Sequence, residues 1–414
     1  MRFLIIALTV FIAAQTARSQ GIEFTLNPKW DKVIKKAREM DKYIFVDCYT
    51  KWCGPCRKLN ENVFPQKAIG EFYNQHFINV KYDMEEPNGI AFNKEYKGEV
   101  RGYPTLLYIN PNTGQVVHNV VGYKTADVLI AEAQKGLNNQ GLVSLQKRYD
   151  SGERDQEFML SYAAALGDGA RDQQVYDVLD ELFRNGGEDF KLTDKECWEL
   201  YSKYIDKLNY GYVQYIIQNR YRFYKLPYVD KISLENRIKY CVYAEMKSLF
   251  SVRVQEKEFS YVLPIDDDKL ALVKSNLKSL RSLQNLEYIH SLVYIYELLK
   301  NEQWEKAYYA MNAAVGFKFP YARNGCLDIF AYIVQECDDK HLLAIILKRY
   351  KELQEERKKE FRDYNIYGYI ALTADKLGLK KEAKEARKTY EILKEKRIKQ
   401  FAKMKERAEE RRER

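Results

Sequence analysis

Two cysteines separated by two residues close the stretch Ile44-Phe45-Val46-Asp47-Cys48-Tyr49-Thr50-Lys51-Trp52-Cys53-Gly54-Pro55-Cys56. The apolar run before them predicts a strand, and the residues from Pro55 onward predict a helix. A strand that delivers Cys53 to a helix N-terminus sets its sulfur against the positive end of the helix dipole and against unpaired backbone N–H groups. Both favour thiolate over thiol. Thiolate is the nucleophile in disulfide exchange. Cys56, in the first helical turn, stands within bonding distance to resolve a mixed disulfide formed on Cys53. Gly54 keeps the turn open to an approaching sulfur, and Pro55 occupies a helix start that leaves an N–H unpaired in any case. A CxxC pair also suits zinc, but tetrahedral closure needs four ligands, and neither a second CxxC nor a nearby His pair supplies them, so no metal site is expected. Asp47 has Ile44, Phe45, Val46 and Cys48 as strand neighbours, which favours a buried acid over a surface carboxylate. Trp52 reads as contact surface beside the nucleophile, with ordinary packing as the alternative. Cys48 reads as a buried core thiol. His76 and His118 have no partner spacing that suggests a ligand set or a catalytic base.

Trp52-Cys53-Gly54-Pro55-Cys56 matches the active-site pentapeptide of thioredoxins, and the resemblance to that family extends further. Asp47, six residues before Cys53, matches the buried aspartate that in thioredoxins relays a proton to and from the second cysteine. Gly102-Tyr103-Pro104-Thr105 resembles the family's cis-proline loop, which faces the disulfide and lays down an extended substrate, and Gly122 matches a glycine beside that groove. The resemblance thus implies a catalytic set of Cys53 as nucleophile, Cys56 as resolving thiol and Asp47 as proton relay. It implies a substrate-binding set of Trp52, Gly54, Pro55, Tyr103, Pro104, Thr105 and Gly122. It also implies a cis bond before Pro104, although only about one X–Pro bond in twenty is cis in folded proteins. No cofactor is expected beyond the Cys53–Cys56 redox disulfide itself. The resemblance covers roughly residues 25 to 138. There are departures: Asp83 to Gly98 is longer and more acidic than in short thioredoxins, and Asp47-Cys48-Tyr49 followed by Val63-Phe64 is similar to exported thioredoxin-like domains of Bacteroides-type bacteria. The lysine that approaches the buried aspartate in thioredoxins reads as replaced, with Asn79 or Lys81 near its place.

The elements that must carry these residues follow from periodicity. Trp30 to Met40 predicts a helix, Tyr43 to Tyr49 a strand, Pro55 to Tyr73 a helix and Phe77 to Asp83 a strand. Ile90 to Lys97 predicts a helix, Thr105 to Asn110 and Val116 to Val121 two strands, and Ala126 to Leu137 a closing helix. Pro111-Asn112-Thr113-Gly114 joins the last two strands at hairpin distance. The fold class expected is an α/β thioredoxin-like sandwich over 20–139, small enough for one domain. An all-α stacked-helix domain over 140–380 and a charged, basic C-terminal helix over 381–414 follow it. Leu298-Leu299-Lys300 before Trp304-Glu305-Lys306-Ala307, and Ala374 to Gly378 before Lys381-Glu382-Ala383, read as helix, short turn, helix. These are similar to tetratricopeptide-type pairs without a strict period. Tyr201, Tyr204, Tyr210, Tyr212, Tyr215, Tyr221 and Tyr224 suit half-buried packing, or a concave peptide-binding surface.

The chain has 414 residues, 46% hydrophobic, enough for two or more cored domains. It opens Met-Arg, runs apolar from Phe3 to Ala14 and reaches Ala17-Arg18-Ser19 before Gln20, the layout of a cleaved secretory signal over 1–19. That stretch is short for a membrane span, and no later window is long and apolar enough to cross one. A periplasmic or secreted protein, soluble after cleavage, is therefore expected. Of seven cysteines, Cys197, Cys241, Cys326 and Cys337 are scattered along the later chain and read as buried free thiols, with a Cys326–Cys337 pair as the alternative. The net charge of +9 lies mostly between Lys381 and Arg414, where 14 Lys and Arg face 8 Glu, a local +6. Mixed Glu and Lys at helical spacing predict an exposed helix there, with membrane-surface contact as a secondary role. Charge confined to one segment of an exported chain argues against a nucleic-acid partner.

The functional expectation is an exported thiol–disulfide oxidoreductase that reduces exported disulfide-containing proteins. A membrane thiol-transfer protein is expected to supply its electrons. The alternatives are a helical scaffold whose thioredoxin-like domain only binds peptides, and a disulfide isomerase, which ordinarily calls for a dimer. A binding module needs no second cysteine, so the intact pair favours the enzyme.

Overall fold

The computed structural model of the chain describes residues 21–186, 192–249, 253–255, 260–262, 266–314, 322–356 and 364–413. The signal expected over 1–19 lies outside the described residues. The chain divides into two compact units, one of residues 1–187 together with 408–414 and one of residues 188–407.

The first unit opens with β1 (Thr25–Leu26), α1 (Trp30–Glu39), β2 (Tyr43–Tyr49), α2 (Gly54–Asn62), α3 (Lys67–His76), β3 (Phe77–Asp83) and α4 (Pro87–Glu95). It continues with β4 (Thr105–Ile109), β5 (Val116–Val121), α5 (Ala126–Leu137), α6 (Leu142–Asp150), α7 (Gln156–Asp168) and α8 (Asp172–Asn185). The five strands form one mixed sheet in the order β1-β3-β2-β4-β5. β3 runs parallel to β1 and β2, while β4 runs antiparallel to β2 and β5. Central strands covered on both faces are mostly apolar, as β2 is apart from Asp47, whereas β3 buries Asn79, Lys81 and Asp83 on alternate positions. Ile44, Val46 and Cys48 join Val80, Tyr82, Phe92 and Leu107 in one core, and Phe45 joins Leu59, Phe64, Tyr73 and Leu106 in the other. The pleat therefore places Asp47, two residues after Phe45, on the α2 side of the sheet.

The structure departs from the expected elements at identifiable residues. The single helix expected over Pro55 to Tyr73 is two, α2 and α3. Pro65 lies between them, without an N–H and with a ring that drives Phe64 toward extended backbone. α4 starts at Pro87 instead of Ile90, a proline at the first helical position where no donor is needed. β1, only two residues long, had no pattern to read. The β4–β5 turn is as expected: Gly114, at φ +69°, donates to the Asn110 carbonyl at 2.8 Å.

The last strand and α5 end by Leu137, yet the compact unit continues through α8, so the sandwich expected over 20–139 packs together with the first helices of the part expected as separate. α6 and α7 pack on β5, burying Leu142, Leu145, Met159, Tyr162 and Leu166. The Leu142 N–H donates to His118 Nδ1 at 3.1 Å, and His118 Nε2 lies 2.6 Å from Glu132 on α5. An accepting Nδ1 puts the imidazole proton on Nε2, aimed at the carboxylate. His118 thereby ties three elements together.

The second unit is helical, apart from a short antiparallel ribbon of β6 (Arg253–Gln255) and β7 (Ser260–Val262). Its helices are α9 (Lys195–Tyr201), α10 (Gly211–Gln218), α11 (Arg220–Phe223), α12 (Lys231–Leu249), α13 (Asp267–Ser279), α14 (Glu287–Lys300) and α15 (Trp304–Ala314). α16 (Ala322–Glu336), α17 (Lys340–Glu356), α18 (Asn365–Lys376) and α19 (Lys380–Glu413) follow. Consecutive helices from α12 to α18 pack on one another. The two expected helix–turn–helix segments are present: Glu302 at φ +55° separates α14 from α15, and Gly378 at φ +77° separates α18 from α19. Of the seven tyrosines, Tyr201, Tyr210 and Tyr212 are buried, Tyr204, Tyr215 and Tyr224 are half-buried, and Tyr221 is exposed. Cys197 is buried, Cys241 and Cys337 are buried free thiols, and the side chain of Cys326 lies outside the described residues. Among the described residues no helix is long and apolar enough to cross a membrane.

Candidate redox site

β2 ends at Tyr49 and α2 begins at Gly54, so Thr50 to Cys53 form the corner between them. Cys53 caps α2: its Sγ accepts the Cys56 N–H at 3.1 Å, using one donor that the helix start leaves open. The two sulfurs are joined in a disulfide of 2.01 Å. Pro55 stands in the first turn, and a Cβ on Gly54 would meet nothing. Both cysteines are nearly buried, at 3% and 2% exposure, whereas Trp52 beside them is 48% exposed. On reduction, the N–H that now points at Cys53 Sγ is placed to stabilise its thiolate.

Asp47 is fully buried, as expected from its neighbours. Its Oδ2 lies 2.9 Å from Nζ of Lys81, which is itself buried. The expectation that the lysine is replaced is thereby corrected. Lys81 is the register partner of Asp47 on the parallel neighbour β3, so the two side chains leave the sheet together. Asn79, the other candidate, pairs in register with Phe45 and donates to Asn74. Lys81 also donates to Asn60 Oδ1 on α2, and its ammonium lies 4.8 Å from the ring centroids of both Phe24 and Phe64. Burial pushes the Asp47 carboxyl above the ordinary range, and the Lys81 charge opposes that rise. Asp47 Oδ1 has no hydrogen-bond partner among the described residues. Cys48, on the opposite face of β2, is pushed well up by burial and then by the Asp47 charge, so it stays a core thiol.

The second wall is the loop before β4. The Tyr103–Pro104 peptide is cis. Pro104 and Thr105 are buried, and Thr105 Oγ1 donates to the Gly102 carbonyl at 2.7 Å. The β2–β4 register sets Thr105 opposite Cys48, which fixes this loop beside the redox corner. Trp52 and Tyr103 meet edge to face at 5.7 Å across the gap. Gly122, at φ +88°, where a side chain would strain the backbone, donates to the Pro104 carbonyl at 2.8 Å. Of the residues expected to bind substrate, Trp52 is in the corner, Gly54 and Pro55 open α2, Tyr103 and Pro104 lie in the loop before β4, Thr105 begins β4, and Gly122 follows β5. Sequence reasoning missed the acidic rim. Trp52 Nε1 donates to Glu85 at 3.1 Å, and Lys51 pairs with Glu86 at 3.2 Å, with buried Asp83 at 3.8 Å. The excess acid after Asp83 was legible, but not that it returns to the tryptophan. The arrangement is a nearly buried disulfide at a helix N-terminus, with a buried carboxyl–ammonium pair on the α2 side of the sheet and the Trp52–Tyr103 contact beside it.

Residues 30–136 match the thioredoxin-like domain family. Thioredoxin H4 of Arabidopsis thaliana is 31% identical over 25% of this chain and 78% of its own length. UBX domain-containing protein 2 of Schizosaccharomyces pombe is 24% identical over 34% of this chain, and this chain spans only 36% of its length. The solution structure of a putative disulphide-isomerase from Bacteroides thetaiotaomicron is 39% identical over 30% of this chain and 100% of its own, with a TM-score of 0.27.

Proposed function

The chain belongs to the thioredoxin-like family, and from that premise we propose that it reduces disulfides in exported proteins through Cys53 and Cys56. The observation that supports this most is the disulfide at the N-terminus of α2, with the Cys56 N–H on Cys53 Sγ and the Pro104 loop alongside. In the reduced protein, the Cys53 thiolate attacks one sulfur of a client disulfide. A mixed disulfide forms and the first client thiolate leaves, taking a proton from water. Cys56 then attacks Cys53 Sγ, re-forming the Cys53–Cys56 bond and releasing the second client thiolate. Two electrons pass from protein to client. Asp47, buried and with Oδ1 unpartnered among the described residues, takes the proton that Cys56 must lose. Trp52, Tyr103, Thr105 and Gly122 hold the client extended across the corner, while Gly54 and Pro55 leave room for its sulfur. A thiol-transfer donor, expected at the membrane, returns the two electrons. Export itself is supported by the apolar run from Phe3 to Ala14 behind Arg2.

Substitution tests the cycle. Cys56→Ser should accumulate a mixed disulfide between Cys53 and a client, seen by mass spectrometry, and Cys53→Ser should abolish turnover. Full biological activity in Cys53→Ser would leave only the binding role of the helical units. Direction is tested by equilibrating the pair against dithiothreitol: a potential near about −270 mV supports a reductase, and one near about −120 mV makes it an oxidant.

A further inference from the structure

The helices that follow the sandwich hold the two loops beside the redox corner. These loops, 96–104 before β4 and 122–125 after β5, flank the proposed client groove, and each is held by one charged residue at the turn between α7 and α8. Lys124 Nζ donates to Asp168 Oδ1 at 2.6 Å, and Arg171 Nη2 donates to Glu99 Oε2 at 3.0 Å. All four side chains are between 20% and 31% exposed, so the pairs are partly shielded from water. The turn that presents them is itself fixed. Its helix-end hydrogen bonds run from Gly169 to Ala165 and from Arg171 to Leu166, with Ala170 at φ +51°. Gly169 sits so close to β5 that a Cβ there would lie 2.7 Å from Asn119 Oδ1. One rigid turn therefore holds the loop carrying Tyr103 and Pro104 and the loop opening at Gly122.

We propose that Asp168 and Arg171 are positioning residues for the client groove, and that the substrate class sensing them is an extended, disulfide-bearing polypeptide. This rests on the redox reading above. A small disulfide reaches Cys53 through the corner alone. A polypeptide must also lie along Tyr103, Pro104 and Gly122, and so gains from loops already held apart at the right width.

The test uses the full chain, reduced and freed of reductant, in single turnover against two substrates: a peptide with one intramolecular disulfide, and bis(2-hydroxyethyl) disulfide. In Asp168→Ala and Arg171→Ala the peptide's half-saturation concentration should rise about two- to fivefold, the size that losing a partly shielded ion pair allows. The limiting rate, and the rate with the small disulfide, should change less. The charge exchange Lys124→Asp with Asp168→Lys should recover most of the loss, which a merely misfolded variant would not do. Parallel losses with both substrates, unchanged peptide saturation, or no recovery on charge exchange would overturn the proposal. A wild-type chain inactive on both substrates would instead overturn the redox reading.

Discussion

At the residue scale, the proposed proton step turns on a buried charge pair. Asp47 and Lys81 are both buried at 2.9 Å, and breaking such a pair typically costs about 3–5 kcal/mol because the survivor is left uncompensated. Burial raises the Asp47 carboxyl, against the opposing Lys81 charge, so it titrates higher in the fold than in the unfolded chain. Its contribution to stability is present below the unfolded carboxyl range and is lost as pH rises through the raised value. The pH profile of client release should show an inflection above the ordinary aspartate value of 3.8, absent in Asp47→Asn. Lys81→Met, with the opposing charge gone, should move that inflection to higher pH. A profile that keeps its inflection in Asp47→Asn assigns the proton to another group. The pair was half legible in the sequence. An acid in one apolar central strand needs a buried base in the next, and Lys81 is the sole cation within Phe77 to Asp83. What chose it over Asn79 was strand register, and a parallel register is set by packing between helices rather than by a local turn.

At the element scale, the sequence reads best where one signal dominates. The strands follow their apolar runs, and the Gly114 turn follows its hairpin spacing. It reads worst where two signals compete: helical periodicity carried the helix after Cys56 through Pro65, and the missing N–H prevailed. The join between α5 and α6 gave no signal, since His118 looked partnerless until Leu142 and Glu132 converged on it. Burial pushes Glu132 up, but His118 and Lys135 outweigh it and hold the carboxyl at about 2, against 4.5 ordinarily. Its ionised form therefore stabilises the fold above about pH 4.5, and that support drains as pH falls toward about 2. Acid titration followed by circular dichroism should show a shallower stability loss over this window in Glu132→Gln than in wild type, from a lower starting stability. Gly141 is the matching steric constraint: a Cβ there would lie 2.5 Å from the Val117 carbonyl. Gly141→Ala should cost about 1–3 kcal/mol in urea unfolding, as overpacking does, and an unchanged midpoint would show that the α5–α6 join can shift freely.

At the scale of the whole molecule, the family match stops at residue 136, but the physical unit does not. A chain ending at 139 would uncover the apolar residues that α6 and α7 bury on β5. It should be less stable by at least about 3 kcal/mol than a chain ending at 186, the scale of a few buried side chains. Equal urea midpoints for the two would show that α6 to α8 are passengers. The change from alternating to purely helical pattern was plain in the sequence. Its coincidence with a folding boundary was not, because amphipathic periodicity says that a helix has an inner face without saying what that face meets. The same covering helices decide how the sheet ends. β5 lies under α6 and α7, with Gly141 against the Val117 carbonyl, and the opposite end strand, β1, is only two residues long. A second chain seeking to add a strand finds no long row of open N–H and C=O groups at either end. Among the described residues, neither end of the sheet thus offers an extended template on which another chain's strand could grow.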